Sequence, residues 1–113
     1  METLIAVVET ETYLSTAERL LTDEERTAIV DMIAADPTQG DLMQGTGGLR
    51  KVRVPLLGRG KRGGGRLITF FHDEGMPVFL LVLYPKNIQT DLTPDQRKAA
   101  KQMTDAIRGQ YGR

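Results

Sequence analysis

The sequence predicts an α+β fold in one domain over residues 1–113, with the element order β-α-α-β-β-β-α. Three observations lead to this prediction. The first half carries an apolar stripe at helical spacing, the second half carries three strand-like runs, and a Thr-Pro capping motif precedes the last stretch. A length of 113 residues also matches a single compact domain.

The first half is predicted to contain one strand and two helices. Residues 3–9 (TLIAVVE) are rich in β-branched side chains, and a helical stretch over residues 11–21 follows. Thr22 and Glu25 then match a capping box, in which each side chain accepts a hydrogen bond from the other residue's backbone. The second helix shows its apolar stripe at Ala28, Ile29, Met32 and Ile33, and Asp36-Pro37 ends it.

Three strands are predicted in the second half, which makes four strands in all. Residues 49–57 alternate, and Pro55 ends or edges that strand. One face of this strand carries Leu49, Lys51 and Arg53, and the other carries Arg50, Val52 and Val54. The segments 66–72 (RLITFFH) and 78–84 (VFLLVLY) are stronger strands, joined in a hairpin by the turn at 73–77.

A helix over residues 94–109 is predicted as the last element. Thr93 and Gln96 form a second capping box, and Pro94 takes the first helical position, where proline is favoured. The sequence contains no internal repeat that would change this order of elements.

Composition restricts the classes of site that the chain can build. It has no cysteine, so disulfides and thiolate metal sites are excluded. With a single histidine, His72, a transition-metal site is not expected, and we predict neither a metal nor a cofactor. The longest apolar run near the start is too short for a signal peptide or a membrane span. We therefore expect a cytoplasmic protein with no membrane contact.

The formal net charge of zero conceals a strong asymmetry along the chain. Residues 1–49 carry ten acidic and two basic side chains, a balance of −8, whereas residues 50–113 carry five acidic and thirteen basic ones, a balance of +8. Such a dipolar molecule offers one side to a polyanion. Chance segregation of charge is the alternative explanation.

The segment 50–66 concentrates this positive charge. It contains seven cations and no acidic residue, namely Arg50, Lys51, Arg53, Arg59, Lys61, Arg62 and Arg66. Like charges repel one another, and a phosphodiester backbone would offset that cost. A solvated basic loop is the alternative. Residues 58–63 also match GxGxxG, but a strand rather than a helix follows, which argues against a dinucleotide site.

The end of the last predicted strand offers two further candidates. Tyr84 could stack on a splayed base, and Lys86 could reach a phosphate or a ribose hydroxyl. An interfacial tyrosine and a solvated lysine explain the same residues equally well.

Several motifs of the chain resemble the RelE/ParE toxin superfamily, and its HigB-like subgroup in particular. The resemblance covers nearly the whole chain. It rests on residues 40–53 (GDLMQGTGGLRKVR), 60–66 (GKRGGGR), 83–87 (LYPKN) and 92–97 (LTPDQR). Asn87 and residues 91–93 depart from relatives that carry an arginine or a downstream catalytic tyrosine there, which leaves the general base open.

The resemblance implies a fold, an activity and partners. The fold has two N-terminal helices packed on a mainly antiparallel sheet. The activity is metal-free cleavage of mRNA on the 70S ribosome, held in check by a HigA-like antitoxin with a helix-turn-helix DNA-binding domain. Arg66 matches the family's catalytic arginine, and Lys86 matches a basic residue at the next strand end. The RNA- and ribosome-contacting cations match Lys51, Arg53, Lys61 and Arg62.

These residues suggest a mechanism in which the substrate's own 2′-hydroxyl attacks the adjacent phosphorus. Arg66 would stabilise the pentacovalent phosphorane, and Lys86 or Lys61 would act as the base. Two alternatives remain open. The chain could be a ParE-like inhibitor of DNA gyrase with no nuclease activity, or a plain nucleic-acid-binding module.

Overall fold

The computed structural model describes residues 5–56 and 64–112. In chain order the elements are β1 (Val7–Glu9), α1 (Glu11–Leu20), α2 (Asp23–Ala35), β2 (Asp41–Leu42), β3 (Leu49–Val54), β4 (Gly65–Phe70), β5 (Val78–Pro85) and α3 (Pro94–Tyr111). The predicted order of helices and longer strands is confirmed. Among the helices of these described residues, none combines the length and the apolar character that a membrane span requires.

The strands form one mixed sheet in the order β1-β5-β4-β3-β2. β1 pairs with β5 in parallel, and every other neighbouring pair is antiparallel. The predicted α+β class with a mainly antiparallel sheet is therefore confirmed. The predicted number of four strands is wrong, because β2 adds a fifth strand of two residues. A strand this short has no alternation that could reveal it in the sequence.

Both predicted capping boxes are present. At the start of α2, the Glu25 backbone N–H donates to Thr22 Oγ1 (3.1 Å), and the Thr22 N–H donates to Glu25 Oε1 (2.8 Å). Thr93 and Gln96 make the same pair of bonds at the start of α3, at 3.1 and 2.9 Å. Each box satisfies two backbone donors that a helix start otherwise leaves unpaired.

Two apolar clusters lie on the two faces of the sheet. On one face, α1 and α2 pack on the side chains of Val52, Val54 and Leu67, all at most 4% exposed. On the other, α3 packs on a second cluster that includes Ile68 and Phe70. Burying apolar side chains on both faces stabilises the sheet by roughly 25 cal/mol per Å² of apolar area removed from water.

The ends of the strands differ slightly from the prediction. β1 begins at Val7 rather than at residue 3, and residues 1–4 lie outside the described part. β3 ends at Val54, because Pro55 has no N–H to donate to the ladder. The predicted alternation of β3 is confirmed, since Leu49 packs in the cluster under α3 while Val52 packs in the other.

Candidate active site

A row of three side chains crosses the centre of the sheet on the face that α3 covers. Arg66 in β4 lies directly opposite Arg53 in β3 and opposite Tyr84 in β5. Residues directly opposite one another in antiparallel strands point to the same face, with Cβ atoms about 4.5–5.5 Å apart. Lys51 follows on the same face of β3. The structure thus brings together four residues that the sequence analysis selected.

Arg66 is the central member of this row and is largely buried. Its side chain is 7% exposed, and Nη1 donates to the Gly65 carbonyl at 3.0 Å. An arginine side chain keeps its positive charge when it is buried. A buried guanidinium is held in one orientation and acts through a lower effective dielectric than a solvated one. Arg66 therefore provides a preorganised positive charge in the middle of the row.

Tyr84 is buried at 1% exposure. Burial raises the pKa of Tyr84, the nearby Asp91 carboxylate raises it further, and Arg66 and Arg97 oppose both effects. The hydroxyl has no hydrogen-bond partner among the residues that the structure describes. A ring this buried has no free face in this conformation, so the predicted stacking of a base on Tyr84 does not fit the structure.

A carboxylate stands between two cations beside this row. Asp91 Oδ1 lies 3.5 Å from Lys51 Nζ, and Asp91 Oδ2 lies 3.5 Å from Arg97 Nη2. The Leu92 N–H lowers the pKa of Asp91 below its ordinary value; Lys51 and Arg97 lower it further, although burial opposes them. These three side chains border a cavity of about 280 Å³, which Asp41 and the chain after it also line.

The loop before α3 fixes Asp91 in this position. The Leu92 N–H donates to Asp91 Oδ1 at 2.8 Å, and the Leu92 side chain is buried in the cluster under α3. Gln89 Nε2 donates to the Asp91 carbonyl (2.8 Å) and to Gln96 Oε1 (2.6 Å). The same glutamine side chain that caps α3 therefore also anchors the loop that carries the carboxylate.

Lys86 follows β5 directly and is exposed. Its backbone N–H donates to the Gly64 carbonyl at 3.0 Å, which holds it beside the start of β4. It begins the turn that follows β5, directly after Pro85, which pairs with Gly65 next to Arg66. The structure thus leaves Lys86 at the edge of the Arg66 row, with its side chain accessible to solvent.

Arg50, which was predicted to contact RNA, lies on the opposite face of the sheet. Its Nη1 donates to the Thr38 carbonyl at 2.7 Å and to the Gly40 carbonyl at 3.3 Å. These bonds tie the chain after α2 to β3, which is a structural role. The structure does not bring Arg50 together with Arg66.

The remaining predicted cations fall in the segment of the sequence between β3 and β4. Arg59, Lys61 and Arg62 lie outside the described residues, so their predicted roles stay predictions. Within residues 5–56 and 64–112, no three His, Asp or Glu side chains converge in a group that could hold a metal ion.

Asp91 and Arg97 belong to the site but were not selected from the sequence. Arg97 lies in α3 and Lys51 in β3, so only the packing of α3 on the sheet brings them to one carboxylate. A lone aspartate in a loop also has no pattern of its own. The available signals were the departure from the family's pattern at residues 91–93 and the position of Asp91 between the predicted strand end at Tyr84 and the capping box at Thr93.

Comparisons with known proteins agree with this fold. Residues 7–111 match the family model described as "RelE toxin of RelE / RelB toxin-antitoxin system". The structure is similar to that of a double mutant of the E. coli toxin RelE in the free state, with a TM-score of 0.60. The similarity covers 89% of this chain and 98% of that one at 14% sequence identity. At an identity this low, the structural similarity supports a shared fold alone.

Proposed function

The chain belongs to the RelE family, the toxins of RelE/RelB toxin–antitoxin systems, and on this premise we propose that it is an endoribonuclease that cuts mRNA on the ribosome. One observation carries the proposal. Arg66 is buried at 7% exposure between Arg53 and Tyr84, on a face that also carries Lys51. Preorganised positive charge of this kind suits a phosphodiester whose negative charge increases during the reaction.

The proposed reaction uses the ribose 2′-hydroxyl of the substrate as the nucleophile. The 2′-oxygen forms a bond to the adjacent phosphorus while a base removes its proton. The bond from phosphorus to the 5′-oxygen breaks, and that oxygen takes up a proton. The products are a 2′,3′-cyclic phosphate and a 5′-hydroxyl. Aligned intramolecular attack contributes on the order of 7–11 kcal/mol to lowering the barrier.

Arg66 stabilises the phosphorane in this mechanism, because its guanidinium can donate two parallel hydrogen bonds to phosphate oxygens. A preorganised donor of this kind lowers the barrier by roughly 3–4 kcal/mol. We assign the base to Lys86, which follows β5 directly and whose backbone N–H is bonded to Gly64 beside the start of β4. Lys61 is the alternative. Lys51 and Arg53 bind the flanking phosphates.

The partners follow from the family. A toxin of this family is held in check by a cognate RelB-like antitoxin, and we propose the finer assignment to a HigB-like toxin with a HigA-like, helix-turn-helix antitoxin. That assignment is supported by the motifs at residues 40–53 and 60–66. Because mRNA is translated in the cytoplasm, we propose that the toxin acts there.

The proposal is tested with purified protein in a coupled translation reaction, followed by primer extension on the transcript. We expect discrete new 5′ ends within the translated region, and 5′-hydroxyl termini at those ends. The same preparation is added to a DNA gyrase supercoiling assay as a matched control. Inhibited supercoiling with an intact transcript would assign the chain to the gyrase inhibitors. Salt-sensitive RNA binding without any cleavage of the transcript would instead indicate a nucleic-acid-binding module.

Asp91→Asn is expected to strengthen RNA binding about fivefold. The substitution removes a negative charge 3.5 Å from both Lys51 and Arg97, and an exposed charge at this distance is worth about 1 kcal/mol. The asparagine oxygen can still accept from the Leu92 N–H, so the loop keeps its anchor. Binding of a 2′-O-methyl RNA, which cannot react, is measured by fluorescence anisotropy.

Asp31→Asn serves as the control, because it removes an exposed carboxylate from α2 on the other side of the sheet. The pKa of Asp91 lies below its ordinary value of 3.8, so its carboxylate stays ionised above that value. The gain in affinity should therefore persist from about pH 5 to about pH 8. Equal effects of both substitutions would mean that only net charge matters.

A further inference from the structure

A second cavity lies beside the candidate active site, between α3 and the turn at residues 45–48. It has a volume of about 560 Å³, within the range of sites that hold small ligands. We call it the α3 groove and define it by that turn, by Leu49 and by the α3 side chains Arg97, Lys98, Lys101 and Arg108. Nothing in the proposed reaction uses it.

The rim of the α3 groove is positively charged. It carries four cations and a single carboxylate, Asp105, which pairs with Lys101 at 2.8 Å. Arg108 donates to the Gly47 carbonyl and lies over the Phe70 ring, so it closes one end of the groove. Lys98 is exposed and makes no ion pair within the described part of the chain. An excess of positive charge on a solvated rim attracts an anionic ligand.

The floor of the groove is less polar than its rim. Pro94 contributes exposed apolar surface, and Leu49 and Thr104 lie beneath it at 2% and 3% exposure. A cationic rim above an apolar floor matches the two parts of a nucleotide, which are an anionic phosphate and a flat base with an apolar face. An inorganic anion alone has no apolar part that could pack on this floor.

The α3 groove is also continuous with the candidate active site. Arg97 lines both the groove and the smaller cavity that Lys51 and Asp91 border. Arg97 and Lys101 stand one helical turn apart on the same face of α3. A single strand bound by Lys51 can therefore pass Arg97 and continue along α3 to Lys98 and Lys101. This continuity favours RNA over an acidic peptide as the occupant.

We propose that the α3 groove binds a nucleotide of the RNA strand that flanks the linkage to be cut. The base packs on the exposed ring of Pro94, and the phosphates bind Arg97, Lys98 and Lys101. This inference rests on the proposed function, since it takes the RNA strand to be the substrate of the adjacent site. It adds a binding subsite on α3 to the chemistry of the sheet.

The test measures binding of a short 2′-O-methyl RNA to the full chain over a range of salt concentrations. Lys98→Gln should weaken binding about threefold to fivefold and reduce the slope of log K against log salt by about 0.7. The double variant with Lys101→Gln should weaken it about tenfold and reduce the slope by about 1.4. Both lysines are exposed, so neither change disturbs the core.

Arg19→Gln is the matched control, because it removes one exposed positive charge from α1 on the other side of the sheet. The affinity of the Arg19→Gln protein for the RNA should change by less than about twofold. Wild-type affinity and slope in the Lys98→Gln protein would overturn the proposal. Equal losses in the Lys98→Gln and Arg19→Gln proteins would overturn it as well, because the effect would then come from net charge.

Two further measurements separate the alternatives. RNA containing 4-thiouridine should form photo-crosslinks to peptides that contain residues 45–49 or 94–108, and crosslinks confined to α1 and α2 would overturn the proposal. An oligoglutamate peptide tests the other occupant. If Lys98→Gln impairs oligoglutamate binding but not RNA binding, the groove binds an acidic protein segment and the proposal is wrong.

The proposed function can fail separately from this inference. If the wild-type chain cuts no mRNA but loses RNA affinity on Lys98→Gln, the nuclease assignment falls and the nucleotide groove remains. If the wild-type chain cuts mRNA and the Lys98→Gln protein binds RNA with unchanged affinity, the proposed nucleotide site in the α3 groove is wrong and the nuclease assignment remains.

Discussion

Arg66→Ala is expected to lower the rate of mRNA cleavage about 10²–10³-fold, which is the usual cost of removing one preorganised donor from a developing oxyanion. The side chain is 7% exposed at the centre of the row formed with Arg53 and Tyr84. Because no other described side chain occupies that central position, a neighbouring cation cannot take its place without moving the strands. The measurement is the cleavage rate at saturating mRNA on translating ribosomes, read by primer extension.

Two further variants distinguish a role of Arg66 in the chemical step from an effect of positive charge alone, and unfolding experiments exclude a loss of the fold. Arg66→Lys keeps the positive charge but lacks the planar pair of donors, so we expect it to recover only a small part of the lost rate. Arg53→Ala removes an exposed cation from the same row and should weaken RNA binding while leaving the rate at saturation within a few-fold of the wild type. Thermal unfolding of each protein reports whether the sheet is intact.

Two results would contradict the role given to Arg66. Undiminished cleavage by a folded Arg66→Ala protein would exclude it from the chemistry. Equal losses of rate in the Arg66→Ala and Arg53→Ala proteins would mean that the row contributes only general positive charge. In either case Lys86 and the basic loop at 57–63 would become the next candidates for stabilising the phosphorane.

Features that depend on neighbouring residues could be predicted from the sequence. The capping boxes at Thr22 and Thr93 use side chains three residues apart, so their spacing in the chain is sufficient to identify them. The two faces of β3 follow from the alternation of an extended chain, which places Lys51 and Arg53 together without any knowledge of the partner strand. Both predictions are confirmed.

Features that depend on distant contacts could not be predicted in this way. The guanidinium of Arg50 is bound to carbonyl oxygens of residues 38 and 40, and no pattern in the sequence specifies that contact. The burial of Tyr84 follows from the packing of α3 and of the loop before it on the sheet. Asp91 becomes part of the site only because that loop carries it between Lys51 and Arg97.

Gly40→Ala is expected to reduce the free energy of unfolding by about 3 kcal/mol, through its effect on the edge of the sheet that supports Lys51. Gly40 has a φ of +91°, in the left-handed region that disfavours side chains. A Cβ at this position would lie 2.6 Å from the Lys51 carbonyl oxygen and 2.8 Å from Val52 Cγ2. The contact with the carbonyl oxygen involves backbone on both sides, so it cannot be relieved without moving β3 or the chain at residue 40.

Gly45→Ala separates the steric effect from the backbone effect. Gly45 also has a positive φ, +72°, but a Cβ there would meet no atom within 4 Å among the described residues. This substitution should therefore cost only the strain of the left-handed backbone, about 1 kcal/mol. The two proteins are compared by urea unfolding followed by circular dichroism, with the slope of the transition held in common.

The difference between the two glycine variants, about 2 kcal/mol, is the cost of the contact between β3 and the chain just before β2. Because Lys51 belongs to β3 and its carbonyl oxygen is the atom that a Cβ at residue 40 would meet, the clash acts on the backbone of the strand that carries Lys51. Equal losses of stability in the two variants would instead mean that the backbone conformation alone makes glycine necessary at residue 40.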